Sequence, residues 1–167
     1  MFRPMRRHLQ EIPQQEAVEI LKTATSGVLA LAGDDGYPYA VPMSYVYSDS
    51  RIYFHGAKSG HRLDAVKGCD KASFCVVAQD DVEPLEYATR YRSVIVFGRI
   101  RIMDDEAEIR RAIEALAVRY APMDTPEHRE KAIADEYDIM TMYELDIEHL
   151  TGKESRSLMR EKKKKQA

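Results

Sequence analysis

The sequence predicts a mainly β protein with flanking helices, its antiparallel sheet of about six strands closed or split into a small barrel. Three observations carry that expectation. Apolar runs of strand length dominate, and consecutive runs are joined by short turns such as Asp34-Asp35-Gly36 and Ser48-Asp49-Ser50, the mark of hairpins rather than of crossovers. Helical periodicity is confined to a few stretches. With 167 residues the chain suffices for one core without disulfides or metal.

Taken in order, the basic segment MFRPMRRHLQ leads to Pro13, which opens a helix. Ala17, Ile20, Leu21 and Ala24 share one face of it, and Gly27 ends it. GVLALAG and YPYAVPMSYVY form the first hairpin, and RIYFH follows the second turn. Pro38 and Pro42 cannot donate to a ladder, so their strand is expected at an open edge. Residues 59–67 read as a short helix, KASFCVVAQ as a buried strand and DDVEPLEYATR as a polar loop. Tyr91 to Met103 is the longest strand. DDEAEIRRAIEALAVRYAP is a helix capped by Asp104 or Asp105, and Thr141 to Glu148 alternates as a half-buried strand that runs into LTGKES.

Charge narrows the partners. The net charge is −3. Arg160 and Lys162 to Lys165 against Glu161 make the last eight residues +4 and leave −7 on residues 1–159, which argues against nucleic acid as the main ligand. Residues 160–167 are expected to be a solvated, disordered tail on a single domain of residues 1–159. No apolar run reaches the roughly 20 residues of a membrane span, and the basic N-terminus has no signal core behind it, so a cytoplasmic protein without membrane partners is expected. Cys69 and Cys75 form no ligand or redox motif, and Cys75 reads as a small buried hydrophobe.

The chemistry gathers in IYFHGAKSGHRL, residues 52–63. A strand ends at His55, and two glycines then bracket Lys58 ahead of His61, Arg62 and a helix start. Glycines expose backbone N–H groups, a helix start favours anions, and the cations add charge. The pattern suits a phosphate monoester but matches neither common nucleotide-binding glycine motif. Taken alone, it reads better as an ordinary loop. His55 and His61 lack a third ligand at a diagnostic spacing, so no metal site is expected.

Four stretches in order, GDDGYPYAVPMSYVY, IYFHGAKSGHRLDAV, YRSVIVFGRIRI and LTGKES, together resemble the pyridoxamine 5′-phosphate oxidase-like flavoproteins, most closely the nitroimidazole-resistance (Nim-type) branch. The resemblance implies a six-stranded antiparallel split β-barrel binding FMN, and a homodimer with the cofactor at the subunit interface. On this chain it places Pro42, Met43, Ser44 and Tyr45 along the flavin ring. Gly56, Ala57, Lys58 and His61 would lie at its phosphate with Leu63 beside them, and Arg92, Ser93 and Val94 would reach in from the other protomer. It makes His55 the catalytic candidate, a proton donor beside the flavin; the alternative is a histidine that only packs or hydrogen-bonds there. The activity implied is reduction of 5-nitroimidazoles or similar small oxidants. The alternatives are a flavin-storage protein without turnover and a haem-handling relative. The Arg-x-His element of vitamin B6 oxidases is missing after Lys153, which speaks against that substrate.

Overall fold

The computed structural model describes the backbone of residues 1–166 and the side chains of residues 1–164. Eight strand segments form one antiparallel sheet: β1 (Glu11–Ile12), β2 (Ser26–Ala32), β3 (Pro38–Ser44), β4 (Val46–Ser48), β5 (Arg51–Ala57), β6 (Lys71–Glu83), β7 (Ala88–Ile102) and β8 (Met140–Glu154). Their order is β3-β2-β6-β7-β8-β5-β4, with β1 added against β8.

One residue closes the ring. β3 lies at one end of this order and β4 at the other, and Tyr45 alone separates them. Ser44 pairs with Ser26 of β2, whereas Val46 pairs with Tyr53 of β5. The chain thus leaves one sheet edge and joins the opposite edge within two residues. With β3 and β4 counted as one interrupted strand and the two-residue β1 set aside, six strands surround the core, as the sequence implies. Pro38 and Pro42 lie on β3, which pairs only with β2; its other side needs no donors from them.

Alternation then fills the barrel. Leu29, Phe54, Phe74, Val76, Val94, Val96, Tyr143 and Leu145 are fully buried, each on the inward side of its strand. Phe74 is the hub, edge-on to Tyr45 at 4.8 Å and to Phe54 at 5.1 Å. Truncating such a residue to alanine costs about 3–5 kcal/mol. The helix α1 (Gln14–Thr23) buries Ala17, Ile20 and Leu21 against this core, and α2 (His61–Gly68) buries Leu63, Ala65 and Val66.

A second apolar cluster lies outside the barrel. On β8 the even residues Met140 and Met142 face away from the odd Tyr143 and Leu145. They are covered by α3 (Glu106–Tyr120) and α4 (Pro126–Tyr137) through Ile113, Leu116 and Ile133. Asp105 caps α3, accepting a hydrogen bond from the Glu108 N–H at 2.8 Å.

Four expectations are corrected. The segment read as a polar loop continues the β6–β7 ladder outward as an arm, Glu83 pairing with Ala88 across a tight turn at Pro84–Glu86. Val82, Leu85 and Tyr87 are exposed on it, so no one-sided burial distinguishes it from a loop. The helix α4 was not foreseen, although Thr125 caps it by accepting from the His128 N–H at 3.2 Å and Pro126 opens it. Cys75 is half-buried on the outer face. The lysine-rich tail is helical: α5 (Arg156–Gln166) docks through buried Leu158, an Arg90–Glu161 ion pair, and Lys162, which binds Glu16 and, at 3.0 Å, Glu154. Ala167 lies outside the described residues.

Candidate active site

The site sits on the outer side of the barrel, where the open edge of β3, the end of β5 and the start of β8 meet the helices. On β5, Ile52 and Phe54 point inward, so the pleat turns His55 outward, opposite Met142 of β8. The following Gly56 is needed because the Arg62 guanidinium fills the space its side chain would occupy. Gly60, at φ +107°, provides the backbone turn that starts α2 and brings Arg62 back over the strand.

A cavity of about 450 Å³ results, lined by Pro42, Met43, Ser44, His55, Gly56, Ala57, Arg62, Glu136, Ile139 and Met140. A second cavity of about 520 Å³ opens beside it under α3 and α4, adding among others Ile113, Leu116, Tyr120, Asp124, His128 and Ile133. Ser44, His55, Glu136 and Met140 line both.

Arg62 dominates the electrostatics. It is half-buried, donates from Nη1 to the Met43 sulfur at 2.8 Å and lies over the Tyr143 ring at 5.4 Å. Its Nε is buried without a hydrogen-bond partner, and among the described residues no carboxylate lies within ion-pair distance of it. A thioether and a ring face neutralise a guanidinium poorly, so the cavity holds positive charge suited to an anion. His55 is exposed at the cavity, yet the surrounding protein desolvates its ring and lowers its pKa; Arg62 lowers it further and Glu136 partly opposes them. At neutral pH the imidazole is therefore uncharged.

Tyr120 fixes the strand break that shapes the rim. Its hydroxyl accepts from the Tyr45 N–H at 2.8 Å and contacts the carbonyls of Thr25 at 2.5 Å and Tyr45 at 3.0 Å.

Of the residues expected at a cofactor, Pro42, Met43, Ser44, His55, Gly56 and Ala57 share the first cavity. Others lie elsewhere in this chain. Tyr45 and Leu63 are in the core, since the pleat and the helix face turn them inward. Lys58 is exposed on the loop. His61 stacks on Tyr39 at 4.1 Å and faces Asp34 at 3.7 Å, away from the cavity lining. Arg92 pairs with buried Glu154 at 2.9 Å, Ser93 lies between Val77 and Lys153, and Val94 is buried in the barrel. Arg62, Glu136 and Tyr120 were not singled out as site residues. Arg62 was legible as one more cation at the start of α2; Glu136 lies on the unforeseen helix. Among the described residues no cluster of three His, Cys, Asp or Glu side chains could hold a metal ion, and no helix is long and apolar enough to cross a membrane.

The sequence profile of the pyridoxamine 5′-phosphate oxidase family matches residues 13–154, from the start of α1 to the end of β8. The chain belongs to that family. Solved structures agree on the fold of this family member. A proposed 5-nitroimidazole antibiotic resistance protein of Bacteroides thetaiotaomicron superposes with a TM-score of 0.73 at 19% identity, over 86% of this chain and 85% of that one. A conserved hypothetical protein of Mycobacterium tuberculosis gives 0.77 at 17% identity, over 93% and 92%. An FAD and heme binding protein of Mycobacterium smegmatis gives 0.70 at 23% identity, over 88% and 74%. At such identities the likeness carries the split-barrel fold alone. No curated protein matches this sequence.

Proposed function

We propose that this protein is an FMN-dependent oxidoreductase of the Nim-type branch, a cytoplasmic homodimer that reduces 5-nitroimidazoles or similar small oxidants. One observation carries the reading: a half-buried Arg62 without a carboxylate partner shares a cavity with His55 and with the proline-interrupted edge of β3. The family and the nitroimidazole-resistance neighbour support it.

The residues fit a flavin. The exposed Pro42 and Ser44 and the unpaired side of β3 offer a flat edge with free backbone groups for a polar ring rim. Arg62 supplies the charge, while Lys58 and the start of α2, which has no side-chain cap, stand ready for a phosphate. A bound flavin would accept a hydride from a nicotinamide donor and pass electrons to the substrate. His55, neutral at rest, would bind a proton as the nitro group gains electrons and donate it to a substrate oxygen. The second cavity, apolar along Ile113, Leu116 and Ile133, would hold the oxidant's ring against His55.

The dimer rests on an outer β face. Val28, Cys75 and Ile95 stand in one cross-strand row, with Val77 and Phe97 beside them, and the large members are exposed. A contiguous apolar face of this kind needs cover. A second copy there would allow Arg92, Ser93 and the backbone at Val94 to approach the partner's cofactor.

Anaerobic mixing of the FMN-loaded protein with NADH or NADPH tests the reading. Bleaching of the flavin bands, reversed by a 5-nitroimidazole, is the expected result. An unchanged spectrum would leave a flavin-storage protein, and a Soret band on haem addition would favour a haem-handling one.

A further inference from the structure

A second cavity-forming cluster lies far from His55, where the N-terminal segment meets α5. Arg6, Arg7 and His8 on one side and Arg156, Arg160 and Lys163 on the other line a cleft of about 460 Å³, with Leu9 and Met159 as its apolar parts. The spacing of 156, 160 and 163 puts the three α5 cations on one helix face. Along β8, Gly152 pairs with Ile12 beside this cleft, whereas Met142 pairs with His55. Ten residues of strand, roughly 33 Å, separate the two places within one chain.

The cleft's charge is uncompensated. Elsewhere Arg51, Arg90, Arg92, Arg99, Arg101 and Arg110 each meet a carboxylate, and Lys162, on another face of α5, meets two. Among the described residues no carboxylate lies within 4.0 Å of the five cleft cations. Five like charges around one concavity repel one another unless an anion joins them. A chain with an acidic excess of −3 overall has carboxylates to spare, yet none is placed here.

We propose that this cleft binds a ligand carrying two adjoining phosphates, of the nucleoside-diphosphate class. Four guanidiniums offer paired donors in planar forks, which suit several phosphate oxygens at once. A monophosphate would leave most of them unused. Leu9 and Met159 provide the apolar surface that a base would cover. A nucleic-acid strand would require a basic track continuing over the surface, and the acidic balance of the rest of the chain opposes one. None of the cleft's lining residues is among those assigned to the flavin above.

Isothermal titration of the FMN-saturated full chain with ADP, AMP, inorganic pyrophosphate and a single-stranded oligonucleotide tests this. The expected result is one ADP per chain, at least tenfold tighter than AMP, weakening as salt is raised. Pyrophosphate should compete; if it does not while ADP binds, the base rather than the diphosphate is recognised and the proposal falls. The double variants R156A/R160A and R6A/R7A should each weaken ADP binding at least tenfold, with FMN binding and thermal midpoint unchanged. Equal binding of AMP and ADP, no binding of ADP, an oligonucleotide that displaces ADP at lower concentration, or wild-type ADP affinity in both folded variants would each overturn it.

Discussion

The Arg62 guanidinium occupies the space that a side chain at residue 56 would need: a Cβ built on Gly56 collides with its Nη2 and Cζ. The strand end and the helix start are thereby locked together, because only a bare backbone at 56 lets the cation lie between β5 and the Met43 sulfur. Gly56→Ala should push the flexible end of Arg62 from the cavity at little cost to folding and weaken FMN binding. Thermal melting and flavin fluorescence titration check both effects.

His55 gives a pH dependence with a definite sign. Its folded pKa lies below the ordinary value near 6.5, first through desolvation and then through Arg62. Between those two values the unfolded chain binds more protons than the folded one, so stability falls as pH drops through that window. Above the ordinary value both states are neutral and the residue contributes nothing. His55→Gln should remove this part of the acid sensitivity. Arg62→Met should raise the His55 pKa and Glu136→Gln should lower it, as read from the imidazole proton shifts in an NMR titration.

Tyr120 holds the point at which the chain passes from one sheet edge to the other. Its hydroxyl is the acceptor for the Tyr45 N–H and contacts the carbonyls of Thr25 and Tyr45. Tyr120→Phe leaves that N–H without its partner and should cost about 1–2 kcal/mol, lowering the melting temperature. The rim carried by Ser44 should loosen with it, so FMN affinity should fall even where the protein remains folded.

The outer face offers a test of assembly. Ile95 stands exposed in the row with Val28 and Cys75. Ile95→Lys should leave the barrel intact and shift the sedimentation profile from dimer to monomer. FMN affinity should fall in step if the partner completes the site. A wild-type protein that sediments only as a monomer of 19.2 kDa would contradict the shared site.

The fold was legible wherever burial is one-sided. Alternation at Leu29–Leu31 and Ile52–Phe54 marks strands because each has one face in the core, and the two prolines of β3 mark its open edge; β8, expected to be half-buried, is covered on both faces near Tyr143, where Met142 and Glu144 are buried as well. The β6–β7 arm and α4 escaped for the opposite reason. Val82, Leu85 and Tyr87 are exposed, and Ile133 is the one residue of α4 that is buried, so neither element carries a hydrophobic pattern. Only the Thr125-Pro126 cap announced α4. The site was legible in part because β3 and β5 carry it on neighbouring residues. Glu136, Met140 and Tyr120 reach it through tertiary packing, which local sequence cannot express. The turning of His61 toward Tyr39 and Asp34 likewise depends on the β2–β3 turn, distant in sequence from α2.

Titration of FMN into the apoprotein, followed by flavin fluorescence and repeated with Arg62→Ala, examines the central claim most directly. A saturable quench at one flavin per chain, weakened at least tenfold by removal of the guanidinium, is the predicted result. Undiminished flavin emission at saturating protein, or equal affinity in the folded variant, would mean that the cavity beside His55 does not hold the cofactor.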